Sequence, residues 1–413
     1  MPPRFTTEDI TVLLEELRQF STTHGQDGVT RLAFSREDEA AHRYLADTLA
    51  TQGLEVCRDA MGTIFARLPG HDRSLPAIGT GSHIDSVPSG GAYDGTLGVI
   101  AGLYALAQFE PGELKRSLEL VVFRAEESSR FGFSCIGSKV LTGHIDRSAW
   151  MKNTDDQGLT VFQALSAAGY TEHEFTSCEL APARYDAFIE LHIEQGRRLE
   201  NEGKTLGIVE GIAAPTRFRV TVTGLADHSG ATPMYQRHDA LVASAMIIED
   251  VHHAACKEMV YGTVGTVGKL DVSPNAMNVI PGLVKFYVDI RGIDKNSIQR
   301  VADRLADSVS KVAKENDVQI ALESLAAETP TLLNKSICSV LEESAAQEGI
   351  TSMRMASGAG HDAMYMASHY PTAMLFVPSR EGISHHPAEY TAPQDIALAA
   401  TVLKNTLARL ANA

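Results

Sequence analysis

The chain lacks the features that would make it a disulfide-framed, fibrous or nucleic-acid-binding protein. Its 413 residues hold five cysteines, one tryptophan and 6% aromatic residues. Cys57, Cys135, Cys178, Cys256 and Cys338 lie far apart, are odd in number and form no CxxC pair. That pattern excludes a disulfide framework and a sulfur-ligated metal site, and it reads as isolated buried thiols of a reducing compartment. Basic charge is scarce as well: 36 Lys and Arg stand against 52 Asp and Glu, a formal charge of −16. Nucleic acid and anionic membrane both select basic surfaces, so neither is an expected partner. Long hydrophobic runs are missing too. The stretch from Leu97 to Phe109 is too short and too rich in Gly and Ala to span a bilayer. Met1-Pro2-Pro3-Arg4-Phe5 opens without the apolar segment of a secretory signal. A soluble cytoplasmic protein is expected.

What is present is ordinary globular composition, 44% apolar and 21% charged. The chain is longer than one core usually supports, so two domains are expected. Helices are predicted over about 10–20 and 36–52, then a hairpin over 54–68 with its turn at Met61-Gly62. Pro76 to His83 reads as a buried strand entering a Gly-rich loop, Leu97 to Gln108 as a buried helix, and Leu118 to Phe123 as a second apolar strand. Such alternation predicts an α/β sheet covered on both faces. The pattern changes near Pro215. Val284, Phe286, Val288 and Ile290 alternate with Lys285, Tyr287, Asp289 and Arg291, the period of a strand with one solvated face. With a strand at 218–222, helices over about 239–256 and 295–314, and strands at 263–270, 279–291 and 318–322, the order is β-α-β-β-α-β, a ferredoxin-like unit. It is read as a domain inserted at 213–327 into a first domain made of 1–212 and 328–413. That first domain resumes with a helix near 336–347, a strand at 373–378 and a last helix from Pro393.

Four polar patches stand out. Gly81-Ser82-His83-Ile84-Asp85, continuing to Tyr93-Asp94-Gly95, follows a buried strand, and open α/β sheets bind ligands at the carboxyl ends of their strands. A carboxylate beside an imidazole commonly fixes the tautomer of a metal ligand, although glycines and Asp are also routine loop formers. Glu126-Glu127 follows the next strand. Adjacent carboxylates there repel unless a cation or proton separates them, but Glu also suits the first turn of a helix. In Glu190-Leu191-His192-Ile193-Glu194 the polar residues share one face, which a solvated edge strand would also explain. The fourth patch, Ser384-His385-His386-Pro387-Ala388-Glu389, is by itself compatible with a surface loop. Taken together, His83, Asp94, Glu127, His192 and His385 form an imidazole and carboxylate set without sulfur. Such a set suits a pair of divalent cations with an open position, Asp94 being the candidate bridge.

These motifs, with His228-Ser229-Gly230-Ala231-Thr232-Pro233-Met234 and Gly358-Ala359-Gly360-His361-Asp362-Ala363, resemble the hydantoinase/carbamoylase subfamily of dinuclear metallopeptidase-like amidohydrolases. They run in family order from 81 to 389. The resemblance implies a zinc-peptidase-like α/β catalytic domain with an inserted ferredoxin-like α+β dimerisation or lid domain. It implies two divalent cations per subunit (Zn, Mn, Co or Ni), with His83 and His192 on one, Glu127 and His385 on the other, and Asp94 between them. By the same resemblance Asp85 orients a ligand imidazole, Glu126 is the general base, and His228 reaches across a homodimer interface to polarise the scissile carbonyl. Asn278 and Arg291 hold a substrate carboxylate, with Gln195 and Gly360 nearby, while His361 and Asp362 fall outside the site. The expected activity is hydrolysis of the ureido C–N bond of N-carbamoyl-L-amino acids. Allantoate or ureidoglycolate hydrolysis is the alternative, since Phe131-Gly132-Phe133-Ser134-Cys135-Ile136-Gly137-Ser138 is closer to ureidoglycolate amidohydrolases. From another class, a catalytically silent small-acid-binding protein would use the same scaffold, but retention of every proposed ligand and of Glu126 argues against it.

Overall fold

The structure is a computed structural model that describes residues 5–23, 25–171 and 178–413. Residues 1–4, the start of the segment read above for a signal, lie outside them. The chain divides into two compact units, Met1–Glu210 with Leu333–Ala413, and Gly211–Leu332. The strands in chain order are β1 (Glu55–Arg58), β2 (Ile64–Leu68), β3 (Ala77–His83), β4 (Leu118–Phe123), β5 (Tyr185–Ile193) and β6 (Leu206–Ile212). Then come β7 (Thr216–Thr223), β8 (Asp227–His228), β9 (Val264–Ser273), β10 (Val279–Ile280), β11 (Leu283–Arg291) and β12 (Gln319–Ala327). The last are β13 (Thr331–Leu332), β14 (Ser352–Ser357) and β15 (Thr372–Val377).

The large sheet has the order β1-β2-β4-β3-β5-β15-β6-β13, with β14 also paired to β6. Its centre, β4-β3-β5-β15, is parallel throughout. Parallel strands are covered on both faces, which favours continuous apolar runs over alternation, and every residue of β4 and β15 is buried. Alternate residues of β4 serve the two layers. Val121 and Phe123 join a core cluster with Trp150, Phe162 and Phe188, whereas Leu120 meets the helix Thr96–Leu106 at Gly102. The rings of Phe123 and Phe188 are fully buried and meet edge to face at 5.8 Å. Truncating either to Ala would cost about 3–5 kcal/mol. The final helix, Pro393–Asn412, takes Pro at its first position, where a missing N–H costs nothing, and packs beside Thr96–Leu106. Among the described residues no helix is long and apolar enough to cross a membrane. Of the five cysteines, Cys135, Cys178 and Cys338 are buried as expected, whereas Cys57, on β1 at the edge of the large sheet, and Cys256, near the end of the helix Ala240–Glu258, are exposed.

The second unit carries a four-stranded antiparallel sheet in the order β12-β7-β11-β9. Helices Ala240–Glu258 and Lys295–Glu315 pack on one face over Val220, Val222, Val284, Phe286, Val288 and Ile290. The opposite face is polar; Arg219 there pairs with Glu323 across β7 and β12. The strand expected over 279–291 is two strands. Pro281 has no N–H to give a ladder, and the chain changes partner there: Val279–Ile280 pairs with Asp227–His228, and Leu283–Arg291 with β7 and β9.

Candidate active site

The carboxyl ends of β3, β4, β5 and β15, four neighbouring parallel strands, and the loops after them bring together the candidate residues of the first unit other than Gly360. His83 ends β3, Glu126 and Glu127 lie just past β4, His192 lies near the end of β5, and His385 follows β15. β5 is central, between β3 and β15, so the edge-strand explanation of its Glu-His-Glu alternation does not hold. Glu190 and His192 are buried. The Glu190 carboxylate takes the Ser82 hydroxyl and the Ala363 N–H, each at 2.8 Å. Glu194 caps the next helix instead, accepting the N–H groups of Arg198 and Leu199.

Asp94 is the centre of the arrangement. Its Oδ1 lies 3.0 Å from His192 Nε2 and 3.7 Å from His83 Nε2. Its Oδ2 lies 3.0 Å from His385 Nε2, which is itself 3.2 Å from Glu127 Oε1. One carboxylate thus faces two ligand sets, His83–Asp94–His192 and Asp94–Glu127–His385, each with ligand atoms within 4.8 Å of one another. Gly95 allows the close approach: its φ is +63°, and a Cβ there would overlap the His83 ring. The imidazoles of the first set are oriented by backbone. His83 Nδ1 is 3.0 Å from the Asp85 carbonyl oxygen, and His192 Nδ1 is 2.9 Å from that of Ile193. Each Nδ1 is therefore a donor, which makes Nε2 the ligating atom of the neutral ring, and Gly95 N–H donates to His192 Nε2 at 3.2 Å. Lone pairs turned toward a carboxylate repel unless a cation or a proton lies among them.

The crowding of carboxylates makes the same demand for positive charge. Burial opposes charge on His83, but Asp85, Glu126 and Asp94 outweigh it and push the imidazole well above its usual range. Burial would raise Asp94, but His192 and His385 hold it well below the carboxylate range. Hydrogen bonds to Asp94 and Glu127 push His385 up to about 10. Burial, reinforced by Glu127 and opposed by His83, pushes Glu126 well above its ordinary value. The residues present fit divalent cations: oxygen and imidazole donors, no sulfur, and a shared carboxylate.

Glu126 belongs to neither ligand set. Its Oε2 turns toward the cluster, 3.7 Å from His83 Nε2, and its Oε1 accepts from the Cys135 thiol at 3.2 Å. Asp85 acts on this pair more directly than on the imidazole. Its carboxylate is 3.6 Å from His83 Nδ1, whereas Oδ1 accepts the Glu126 N–H at 3.1 Å and Oδ2 the Glu127 N–H at 3.0 Å. Ala125, Cys135, Gln195 and His385, all at this site, have left-handed φ of 54, 56, 57 and 54°. Non-glycine residues hold that conformation, at about 1–3 kcal/mol each, only where the surroundings enforce it.

The other candidates are placed as follows. The Gln195 side-chain amide donates to Asp94 Oδ2 at 3.0 Å and to Ser384 Oγ at 3.2 Å. Gly360 lies in the loop after β14, next to His361, whose ring meets that of His192 at 4.5 Å. In the second unit, His228 and Asn278 are neighbours on the β8–β10 ribbon, where Ser229 N–H donates to the Asn278 carbonyl. The exposed His228 ring accepts the N–H groups of Gly230 and Ala231 at Nδ1, so its proton is on Nε2. Arg291 ends β11 and is held by Asp289 at 3.1 Å. Glu389, which sequence reasoning quoted only as the end of a motif, is buried and accepts the N–H groups of Tyr93 and Asp94.

The profile of peptidase family M20/M25/M40 matches residues 79–409. The chain is 37% identical over 408 residues to a ureidoglycolate hydrolase of Arabidopsis thaliana, an alignment covering 96% of this chain and 85% of that protein. It is 37% identical over 386 residues to an N-carbamoyl-L-amino acid amidohydrolase of Geobacillus stearothermophilus, covering 93% and 94%. A crystal structure of an amidase of the hydantoinase/carbamoylase family from Burkholderia multivorans matches with a TM-score of 0.91 at 32% identity, over 98% of both chains. The chain thus belongs to peptidase family M20/M25/M40 and, within it, to the hydantoinase/carbamoylase amidohydrolases, hydrolases of C–N bonds.

Proposed function

We propose that the protein hydrolyses the ureido C–N bond of N-carbamoyl-L-amino acids, giving the amino acid, ammonia and carbon dioxide, with two divalent cations per subunit. The observation that carries this reading is Asp94, each of whose carboxylate oxygens faces a different ligand set. His83 and His192 would hold one cation, Glu127 and His385 the other, and Asp94 both. Bound there, divalent cations supply Lewis acidity that polarises a carbonyl and acidifies water.

The chain's own groups do the rest. Glu126 takes the proton of the attacking water and returns it to the leaving nitrogen; its Oε2 is the oxygen turned toward the cluster. Asp85 keeps that carboxylate and Glu127 in register through their backbone N–H groups. His228 presents an Nε2–H donor suited to the developing oxyanion. Arg291 offers a planar guanidinium, the natural bidentate partner of a substrate carboxylate, with Gln195, Asn278 and Gly360 as further contacts. The active unit is a homodimer joined through the inserted domain, roughly 213–327, with the partner subunit's His228 completing each site. Supporting this, Met234, Tyr235 and Met277, which flank the β8–β10 ribbon of His228 in sequence, are each more than half exposed, as side chains that a partner covers are.

A second reading, hydrolysis of ureidoglycolate or allantoate, is favoured by Cys135, which belongs to the segment closer to ureidoglycolate amidohydrolases and touches Glu126. Ammonia release from N-carbamoyl-L-alanine, N-carbamoyl-L-methionine, ureidoglycolate and allantoate by the Mn- or Zn-loaded protein separates the readings. The expected result is the highest kcat/KM on an N-carbamoyl amino acid. Preference for ureidoglycolate or allantoate establishes the second reading, and binding without turnover of any of the four establishes a silent binder.

A further inference from the structure

Glu389 lies beyond the metal-ligand set, yet its carboxylate closes a ring through three of the site's loops. Its Oε1 accepts two backbone N–H groups, those of Tyr93 and Asp94, both at 3.0 Å. Its Oε2 accepts the Ser384 hydroxyl at 2.9 Å. Ser384 Oγ in turn receives the Gln195 amide, which also donates to Asp94 Oδ2. The ring therefore runs Glu389, Asp94, Gln195, Ser384 and back to Glu389. It joins the loop that carries Asp94 to the loop that carries His385, with Gln195 as the third member. Two further observations show that the place is built for this carboxylate. A Cβ on Gly91 would overlap the Glu389 side chain, so a glycine is needed there. Tyr390 and Tyr93, the residues that follow Glu389 and precede Asp94, pack edge to face at 5.9 Å.

We infer that Glu389 is a positioning residue that staples the Asp94 loop to the His385 loop and so couples the two cation sites. Asp94 lies within both ligand sets, but His385 lies only in the second. His385 holds a left-handed φ of 54°, which needs support from its surroundings. Glu389 supplies it from four residues further on, through Ser384, and at the same time fixes the backbone of Asp94. Removing the carboxylate frees both at once, so the two cations weaken together. The inference rests on the two-cation reading above.

The test measures binding, not turnover. Metal-free protein, Glu389→Ala, Glu389→Gln and Gly91→Ala are each titrated with Mn2+ and with Zn2+ by calorimetry and equilibrium dialysis, and the melting temperature of each metal-free form is recorded. Loss of an outer hydrogen-bond partner typically costs about 10–100-fold in metal affinity. The expected result is a loss of that size at both sites in Glu389→Ala, and a similar loss in Gly91→Ala, which displaces the carboxylate without deleting it. A smaller loss is expected in Glu389→Gln, whose amide oxygen still accepts the Tyr93 and Asp94 N–H groups. If wild type binds two cations and Glu389→Ala binds them unchanged, or loses only one, the staple is wrong and the two-cation reading stands. If wild type itself binds none, the two-cation reading fails and the inference with it. Should Glu389→Ala not fold, Gly91→Ala and Glu389→Gln decide: affinities equal to wild type in both overturn the inference.

Discussion

The carboxylate of Asp85 holds the backbone of Glu126: its Oδ1 accepts the Glu126 N–H at 3.1 Å. The neighbouring Oδ2 does the same for Glu127 at 3.0 Å, so one buried side chain sets the position of both adjacent carboxylates. Asp85→Asn keeps one acceptor oxygen and turns an NH2 toward the other N–H. Cation affinity or kcat should fall about 10–100-fold, the usual effect of disturbing such a partner, with the fold retained. Metal analysis and steady-state kinetics on the purified variant check this. Wild-type values for both would mean that the Glu126–Glu127 turn is fixed by other contacts.

Glu126→Gln separates proton transfer from binding. Glu126 belongs to neither ligand set, so the variant should hold its cations and its substrate. Its kcat should fall by roughly 10²-fold or more, the usual worth of acid–base catalysis. A kcat near wild type would move the role to another group, Glu127 being the next candidate by position.

Behind the site, Arg124 is fully buried and pairs with Asp38 at 3.0 Å. Burial would raise the Asp38 carboxyl, but His42 and Arg124 outweigh it and hold it well below the carboxylate range. A depressed folded-state pKa adds stability above the unfolded value near 4, and that stability is lost as pH falls toward the folded value. Asp38→Asn, which leaves the buried guanidinium with Glu39 as its remaining carboxylate partner, should cost about 1.5–3 kcal/mol at pH 7. The difference from wild type should shrink as the pH is lowered below about 4. Urea unfolding from pH 3 to pH 7 measures it, and a gap independent of pH would show that the charge of Asp38 is not what stabilises.

What the sequence made legible was set by local pattern. β11 was readable because Val284, Phe286, Val288 and Ile290 alternate with polar residues, and burial on one face leaves that trace directly. The candidate ligand residues stand out because they lie at strand ends in short polar motifs. β6 and β14 were missed. The first is interrupted by Gly207 and Gly211, and the second, Ser352-Met353-Arg354-Met355-Ala356-Ser357, carries no β-branched residue. The contacts between distant segments were equally hidden. Nothing local to Glu389 says that it meets Asp94, because that proximity is made by the sheet order. Glu194 looked like a member of the His192 face, and only the start of the next helix shows it to be a cap.

The dimer is tested by mixing two inactive proteins. If the partner subunit's His228 completes each site, His228→Ala and Glu126→Gln should regain part of the activity together, since one site of each heterodimer then has both wild-type groups. Subunit exchange is verified by native mass spectrometry. Exchange without recovered turnover would assign His228 to its own subunit or to no role in the reaction.

Two cations around Asp94 are expected to be required for ureido hydrolysis. The most direct measurement is a titration of metal-free, chelator-dialysed protein with Mn2+ or Zn2+, following ammonia release from N-carbamoyl-L-alanine. The expected result is no turnover at the start, saturation near two cations per chain, and no recovery in Asp94→Ala. Full turnover by the metal-free protein, or full recovery in Asp94→Ala, would contradict it.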